Sequence, residues 1–218
     1  MSIYYLQFSL FIASATIPLA AGAYRFRDCD VSIRILLLLI GLSAITEAWS
    51  FYLVSNGRQN IWLYNYYNVV EVLCYGLYFN YSIISLRKWR GGWWIGIAGI
   101  IWALSSTWLF PRDKGESAFL ITEGAIIIAL CMYGFFKMMI GEEDIHPARN
   151  IHFWIILSII SYWCSSYFVI VFNFSLLWTS HPHYFTFFPF VTIAGNMIMF
   201  IGIAITLLLK PNLRLSNG

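Results

Sequence analysis

NIHFWIILSIISYWCSSYFVIVFNFSLLWTSHPHYFTFFPFVTIAGNMIMFIGIAITLLL, residues 150–209, is a run of sixty residues without one Asp, Glu, Lys or Arg. A helix that crosses the hydrocarbon of a bilayer takes about 20 apolar residues. The run is therefore too long for one crossing and suits two. Its polar middle, 173–183, ends in His181-Pro182-His183 and breaks it. The reading is two membrane helices over 151–172 and 184–209. The apolar residues are continuous rather than alternating, which excludes a β-barrel.

The rest of the chain repeats the pattern. Apolar runs cover 3–23, 32–54, 61–86, 93–110 and 117–140, giving seven spans in a single transmembrane domain, 1–218. The first run has no Lys or Arg before it, unlike a signal peptide with its positive n-region. It is read as a retained span although Ala21-Gly22-Ala23 looks like a cleavage site. Of the 218 residues, 60% are hydrophobic and 11% charged, with a mean hydropathy of +0.72. Soluble domains carry about 25% charged residues, so lipid is the expected partner of the outer surface. Aromatics reach 19%, as suits rings placed at two membrane interfaces. A net charge of +3, with no basic groove, argues against nucleic acid. No segment is long and polar enough to fold as a separate soluble domain; the longest, 141–150, includes Glu142, Glu143 and Asp144 and reads as a solvated turn.

The basic residues set an orientation. Arg25, Arg27, Arg34, Arg87, Lys88, Arg90, Lys137, Arg149, Lys210 and Arg214 fall at one set of span ends, and Arg58, Arg112 and Lys114 at the other. Cytoplasmic loops hold the excess of Lys and Arg. The expectation is an all-α polytopic bundle with its N-terminus outside and its C-terminus in the cytoplasm.

Ionisable groups inside a membrane are expensive and face the bundle interior. Glu47, Glu71 and Glu123 all fall between the outer surface and the midplane in this topology. Steps of three and four place Asn68, Glu71, Tyr75 and Tyr78 in one stripe of span 3, with Asn65 one turn before. Ser43 and Ser50 flank Glu47, Asn196 lies near the centre of span 7, and span 6 offers Ser158, Ser161, Tyr162 and Ser165. The expected site is an outward-facing polar cavity with Glu47, Asn65, Asn68, Glu71, Tyr75, Glu123 and Asn196 as ligand-binding residues. The plainer reading is helix packing, since buried Ser and Asn commonly join helices; it suits the serines of span 6 and also Asn196. No catalytic residue, metal or cofactor is assigned. A metal held by these carboxylates with His181 and His183 is the weaker idea. His152 reads as a cap or headgroup contact, and Trp62, Tyr64, Tyr66, Tyr67, Trp93 and Trp94 as interface anchors. Cys29, Cys74, Cys131 and Cys164 form no CxxC pair and read as small hydrophobes.

Retinal proteins need a lysine within the last span, and none precedes Lys210. Alkaline ceramidases need an intramembrane Asp and histidines around zinc, which are missing. Glu47, the stretch 60–79 (NIWLYNYYNVVEVLCYGLYF) with Asn65, Asn68 and Glu71, and AGNMIMF with Asn196 together resemble a group of small seven-span bacterial inner-membrane proteins. The resemblance implies a bacterial inner-membrane location and carries no activity with it. The leading functional expectation is a receptor or sensor-like binder of a small polar or cationic ligand, read out by a cytoplasmic or membrane protein partner. A transporter or proton-coupled permease, an intramembrane lipid-modifying enzyme and a structural subunit are the alternatives.

Overall fold

The computed structural model describes residues 2–109, 112–140, 150–176 and 188–209, and all of its described elements are helices. They are α1 (Ser2–Tyr24), α2 (Val31–Ser55), α3 (Ile61–Ser82), the short α4 (Ile84–Trp89), α5 (Gly91–Leu109), α6 (Arg112–Ile140), α7 (Ile151–Leu176) and α8 (Phe188–Leu209). Among the described residues five helices are long and apolar enough to cross a membrane: Tyr4–Tyr24, Val31–Ser55, Phe119–Ile140, Ile151–Val169 and Phe190–Leu209. In α5 the comparable stretch is shorter, Gly91–Ser105. α3 falls outside this set although it has 22 residues, because its polar stripe lowers its hydropathy.

Several boundaries differ from those read in the sequence. The span expected over 61–86 breaks after Ser82: Ile83 is extended (φ −117°, ψ 115°) and α4 restarts at Ile84. The apolar run continues through the break, so hydropathy could not mark it. α6 begins at Arg112 rather than 117, since hydropathy registers the part that suits lipid while a helix also includes charged turns. α7 continues through Asn173 to Leu176. Residues 177–187, with His181 and His183, lie outside the described residues, as do Glu142, Glu143, Asp144, Arg149, Lys210 and Arg214.

Local chemistry sets the ends of α2. Asp30 is its N-cap, with the carboxylate accepting from the Ile33 N–H at 2.9 Å, which satisfies one of the open donors of the first turn. At the other end Gly57 turns the chain with φ +68°, a backbone conformation that costs glycine little.

The seven longer helices pack as a ring. α1 touches α2 and α8, α2 touches α3, α3 touches α5, α5 touches α6, α6 touches α7, and α7 touches α8; α3 and α6 also meet. α3 and α5 approach most closely where Gly76 faces Gly92 and Gly96, and a Cβ on Gly76 would come 2.6 Å from the Gly92 carbonyl oxygen. Small residues allow such backbone contact between membrane helices. The Gly92 N–H donates to Asn80 Oδ1 at 3.3 Å, so Asn80 serves the same contact.

Leu38, Ile45, Ile101, Met132, Phe136 and Ile198 are large apolar side chains left exposed on the outside of the ring. A surface of this kind fits an integral membrane protein in contact with lipid. Exposed Trp49, Trp62 and Tyr66 cluster at one end of the bundle, with rings 6.3–6.4 Å apart. Trp89, Trp93 and Trp94 are exposed beside Arg87, Lys88 and Arg90 in another segment.

Candidate functional site

A partly open cavity of about 590 Å³ lies inside the ring, lined by side chains of α1, α2, α3, α6, α7 and α8. It occupies the half of the bundle that contains Tyr4 of α1, Glu47 of α2 and Tyr64 of α3. Of the seven residues expected to bind ligand, Glu47, Asn68, Glu71, Tyr75 and Asn196 line it. Asn65 and Glu123 do not.

Asn65 is exposed on the outer side of α3. A helix turns about 100° per residue, so two successive steps of three rotate a side chain by roughly 120° away from its start. Asn65 and Glu71 are related in this way. The residues that share the inner face are Tyr64, Tyr67, Asn68, Glu71 and Tyr75. Tyr64 and Tyr67, read as interface anchors, thus belong to the cavity wall, whereas Tyr66 is 71% exposed. The alternation of three- and four-residue steps from Tyr64 was the available signal.

Glu123 is 1% exposed and neither carboxylate oxygen has a hydrogen-bond partner among the described residues. It is among the most buried polar groups of the described residues. It lies close enough to Glu71 and Tyr162 to act on them electrostatically. Burying a polar group without a partner costs about 1–3 kcal/mol, so its position is a local departure from good packing.

The upper part of the cavity is a chain of polar contacts. Tyr64 donates to Glu47 Oε2 at 2.8 Å, and its hydroxyl lies 2.9 Å from Ser50 Oγ. Asn60 Nδ2 donates to Ser50 Oγ at 2.6 Å. Glu47 therefore sits at the level of Tyr64. Glu71 is seven residues further along α3, about 10 Å deeper at 1.5 Å per residue. Glu123 interacts with Glu71, while Glu47 lies about two turns of α3 away from Glu71, beside Tyr64. Tyr67 interacts with Ser43 and with Glu71. At the deep end Tyr75 packs edge-on against Trp163 with centroids 6.1 Å apart, and its hydroxyl reaches Met199 Sδ at 3.9 Å. Among the described residues no Lys, Arg or His lines the cavity.

The serines of α7 make backbone contacts instead. Ser158 donates to Trp154 O at 2.9 Å, Ser161 to Leu157 O at 2.7 Å and Ser165 to Tyr162 O at 2.8 Å. Gly202 and Gly195 of α8 pack directly on Ser158 and Ser165. These serines join α7 to α8, and of the span 6 stripe only Tyr162 reaches the cavity.

A second polar group lies at the opposite end, where α1 finishes and α2 and α7 begin. His152 is fully buried, against the expectation of a cap or headgroup contact. Its Nε2 is 3.1 Å from Asp30 Oδ2 and its Nδ1 is 3.5 Å from the Tyr78 hydroxyl. Ser32 donates to Asp30 Oδ1 at 2.7 Å. Burial alone would push the Asp30 carboxyl up; the hydrogen bond and charge of His152, with the donors of Ile33 and Ser32, outweigh it and hold the carboxyl below its ordinary value. Arg25 Nη1 donates to Leu207 O at 2.8 Å nearby and ties the end of α1 to the end of α8. Sequence spacing gave no sign of this network, because its members are 122 and 74 residues apart.

Among the described residues no three His, Cys, Asp or Glu side chains come together as a metal site. Cys29, Cys74 and Cys131 are buried and Cys164 is exposed, and all four are free thiols. No protein-family model, curated protein or solved structure matches the chain.

Proposed function

We propose that this chain is a seven-span protein of a bacterial inner membrane, with its N-terminus outside and its C-terminus in the cytoplasm. It binds a small cationic ligand in the outer-half cavity and acts as a receptor or sensor. The observation that carries this reading is the wall of the cavity: Glu47 and Glu71, from neighbouring helices, face a common space that, among the described residues, no Lys, Arg or His lines. Carboxylates in a low-dielectric interior are stabilised by a cation, since opposite charges there attract strongly. Tyr75, Tyr162 and Trp163 add aromatic faces that favour a cation. Asn68 and Asn196 supply hydrogen bonds.

The excess of basic residues at one set of helix ends supports the orientation and offers a surface for a cytoplasmic partner. A receptor is favoured over a carrier by the floor of the cavity. Below Tyr75 the buried side chains Phe79, Ile155, Ile159 and Ile203 pack together, and the Asp30–His152–Tyr78 set at the far end is internally bonded. An enzyme using Glu47 and Glu71 as acid and base at one bond is disfavoured by their separation of two helical turns.

The test is thermal unfolding of the detergent-purified protein with butylamine and with butanol, its neutral analogue. Butylamine raises the unfolding midpoint, butanol leaves it unchanged, and Glu71→Gln abolishes the amine response. Equal effects of the two compounds, or none from either, would sink the reading.

A further inference from the structure

Resting on the cation-binding reading of this cavity, we infer that the natural ligand is a linear dication, a short α,ω-diamine lying along the axis of the bundle. One ammonium sits at Glu71 with Glu123 behind it, the other at Glu47, and the alkyl chain passes over Phe8, Phe11 and Ile40 between them.

Three features point to two charges rather than one. The cavity has acids at two levels, Glu47 beside Tyr64 and Glu71 two turns deeper. Glu123 adds a third acid at the deep level, 1% exposed, with both oxygens lacking partners among the described residues. Three carboxyl groups are thus gathered around one space whose lining, among the described residues, includes no Lys, Arg or His. A monoamine would answer one level and leave the other. The wall between the levels includes Phe8, Phe11, Ile40 and the ring of Tyr67, against which methylenes can pack, beside the polar Ser43 and Asn68.

Length narrows the class. The levels are about 10 Å apart along α3; two ammonium–carboxylate contacts of about 2.8 Å each take up about 5.6 Å where they lie along the axis and less where they lie across it, which leaves roughly 4–8 Å between the two nitrogens. That is the reach of a chain of about four or five methylenes, as in putrescine or cadaverine. A compact divalent ion cannot bridge such a gap, and a longer polyamine would have to project beyond Glu47.

The experiment compares putrescine, cadaverine, butylamine and magnesium ion on the purified protein by thermal shift and calorimetry. A second charge-assisted contact is worth about 1.5–3 kcal/mol, or about tenfold or more in affinity. Putrescine or cadaverine is expected to bind at least about tenfold more tightly than butylamine, and magnesium to give no comparable shift. Glu47→Gln should bring the diamine down to the level of butylamine while the response to butylamine stays. Equal affinity for butylamine and putrescine in the unaltered protein overturns the dication proposal and leaves the cation reading in place, as does magnesium matching putrescine. Absence of any response to the amines overturns both.

Discussion

Asp30 at the start of α2 and Glu123 within α6 are both acids held inside the bundle, and their surroundings are opposite. Asp30 accepts from the Ile33 N–H and from Ser32 and pairs with His152. Glu123 has no hydrogen-bond partner among the described residues. The first acid belongs to a closed joint, where the beginnings of α2 and α7 meet under a fully buried histidine. The second lies behind the wall of the cavity, within electrostatic reach of Glu71, which lines it. A fold that supplies every donor to one buried acid had the means to supply the other. The acid of the joint holds helices together; the acids around the cavity are the ones the proposed ligand would answer.

The largest expected effect is at the joint. His152→Ala removes the base and leaves a largely buried carboxylate unpaired, a change worth about 3 kcal/mol. Thermal unfolding in detergent should show it as a clear drop in midpoint. The pH dependence has a definite sign. Asp30 has its folded-state carboxyl held below the ordinary value, so its contribution is fully present above about pH 4, the range of the unfolded group, and is lost as pH falls through the folded value. The unaltered protein should lose this margin below about pH 4, and His152→Ala should show a weaker acid dependence there. A variant as stable as the parent at pH 7 would mean that the joint is incidental.

Glu123→Met should have the opposite sign. It removes two unpartnered oxygens and keeps the volume similar, so the midpoint should rise by the equivalent of about 1–2 kcal/mol. The same variant should weaken amine binding. Stability gained with binding lost is the pattern expected where a site is strained for its ligand. If Glu123→Met destabilises as much as His152→Ala, the contrast between the two acids is false.

The legibility of these regions from sequence differs for a physical reason. Helices were readable because lipid demands long apolar runs, and α2 at 31–55 stands within a residue of the run at 32–54. The same signal was blind to the break at Ile83 and to the charged first turn of α6, since neither changes the transfer free energy of the run. The cavity was partly readable, because Asn68, Glu71 and Tyr75 repeat at helical spacing on one helix. Asn65, one turn before that stripe, stands off the cavity because a further step of three carries it round to the exposed side of α3. The Asp30–His152–Tyr78 joint could not be read at all. Its partners come from three helices, and no local pattern encodes contacts between them.

The smallest effect tests how far the contrast extends toward the end of the bundle. Glu47 borders the cavity as Glu71 does, yet it has a donor of its own in Tyr64 at 2.8 Å. It therefore combines features of the joint and of the open acids. Tyr64→Phe removes that donor and leaves the ring in place, so stability should fall by only about 1 kcal/mol, the typical net worth of one hydrogen bond. The freed carboxylate should then bind an ammonium no less tightly than before, because the tyrosine no longer competes for Oε2. A fall in amine affinity of about tenfold in Tyr64→Phe would instead mean that the hydroxyl positions Glu47 for its ligand, and that the polar chain from Asn60 through Ser50 is part of the binding site rather than its frame.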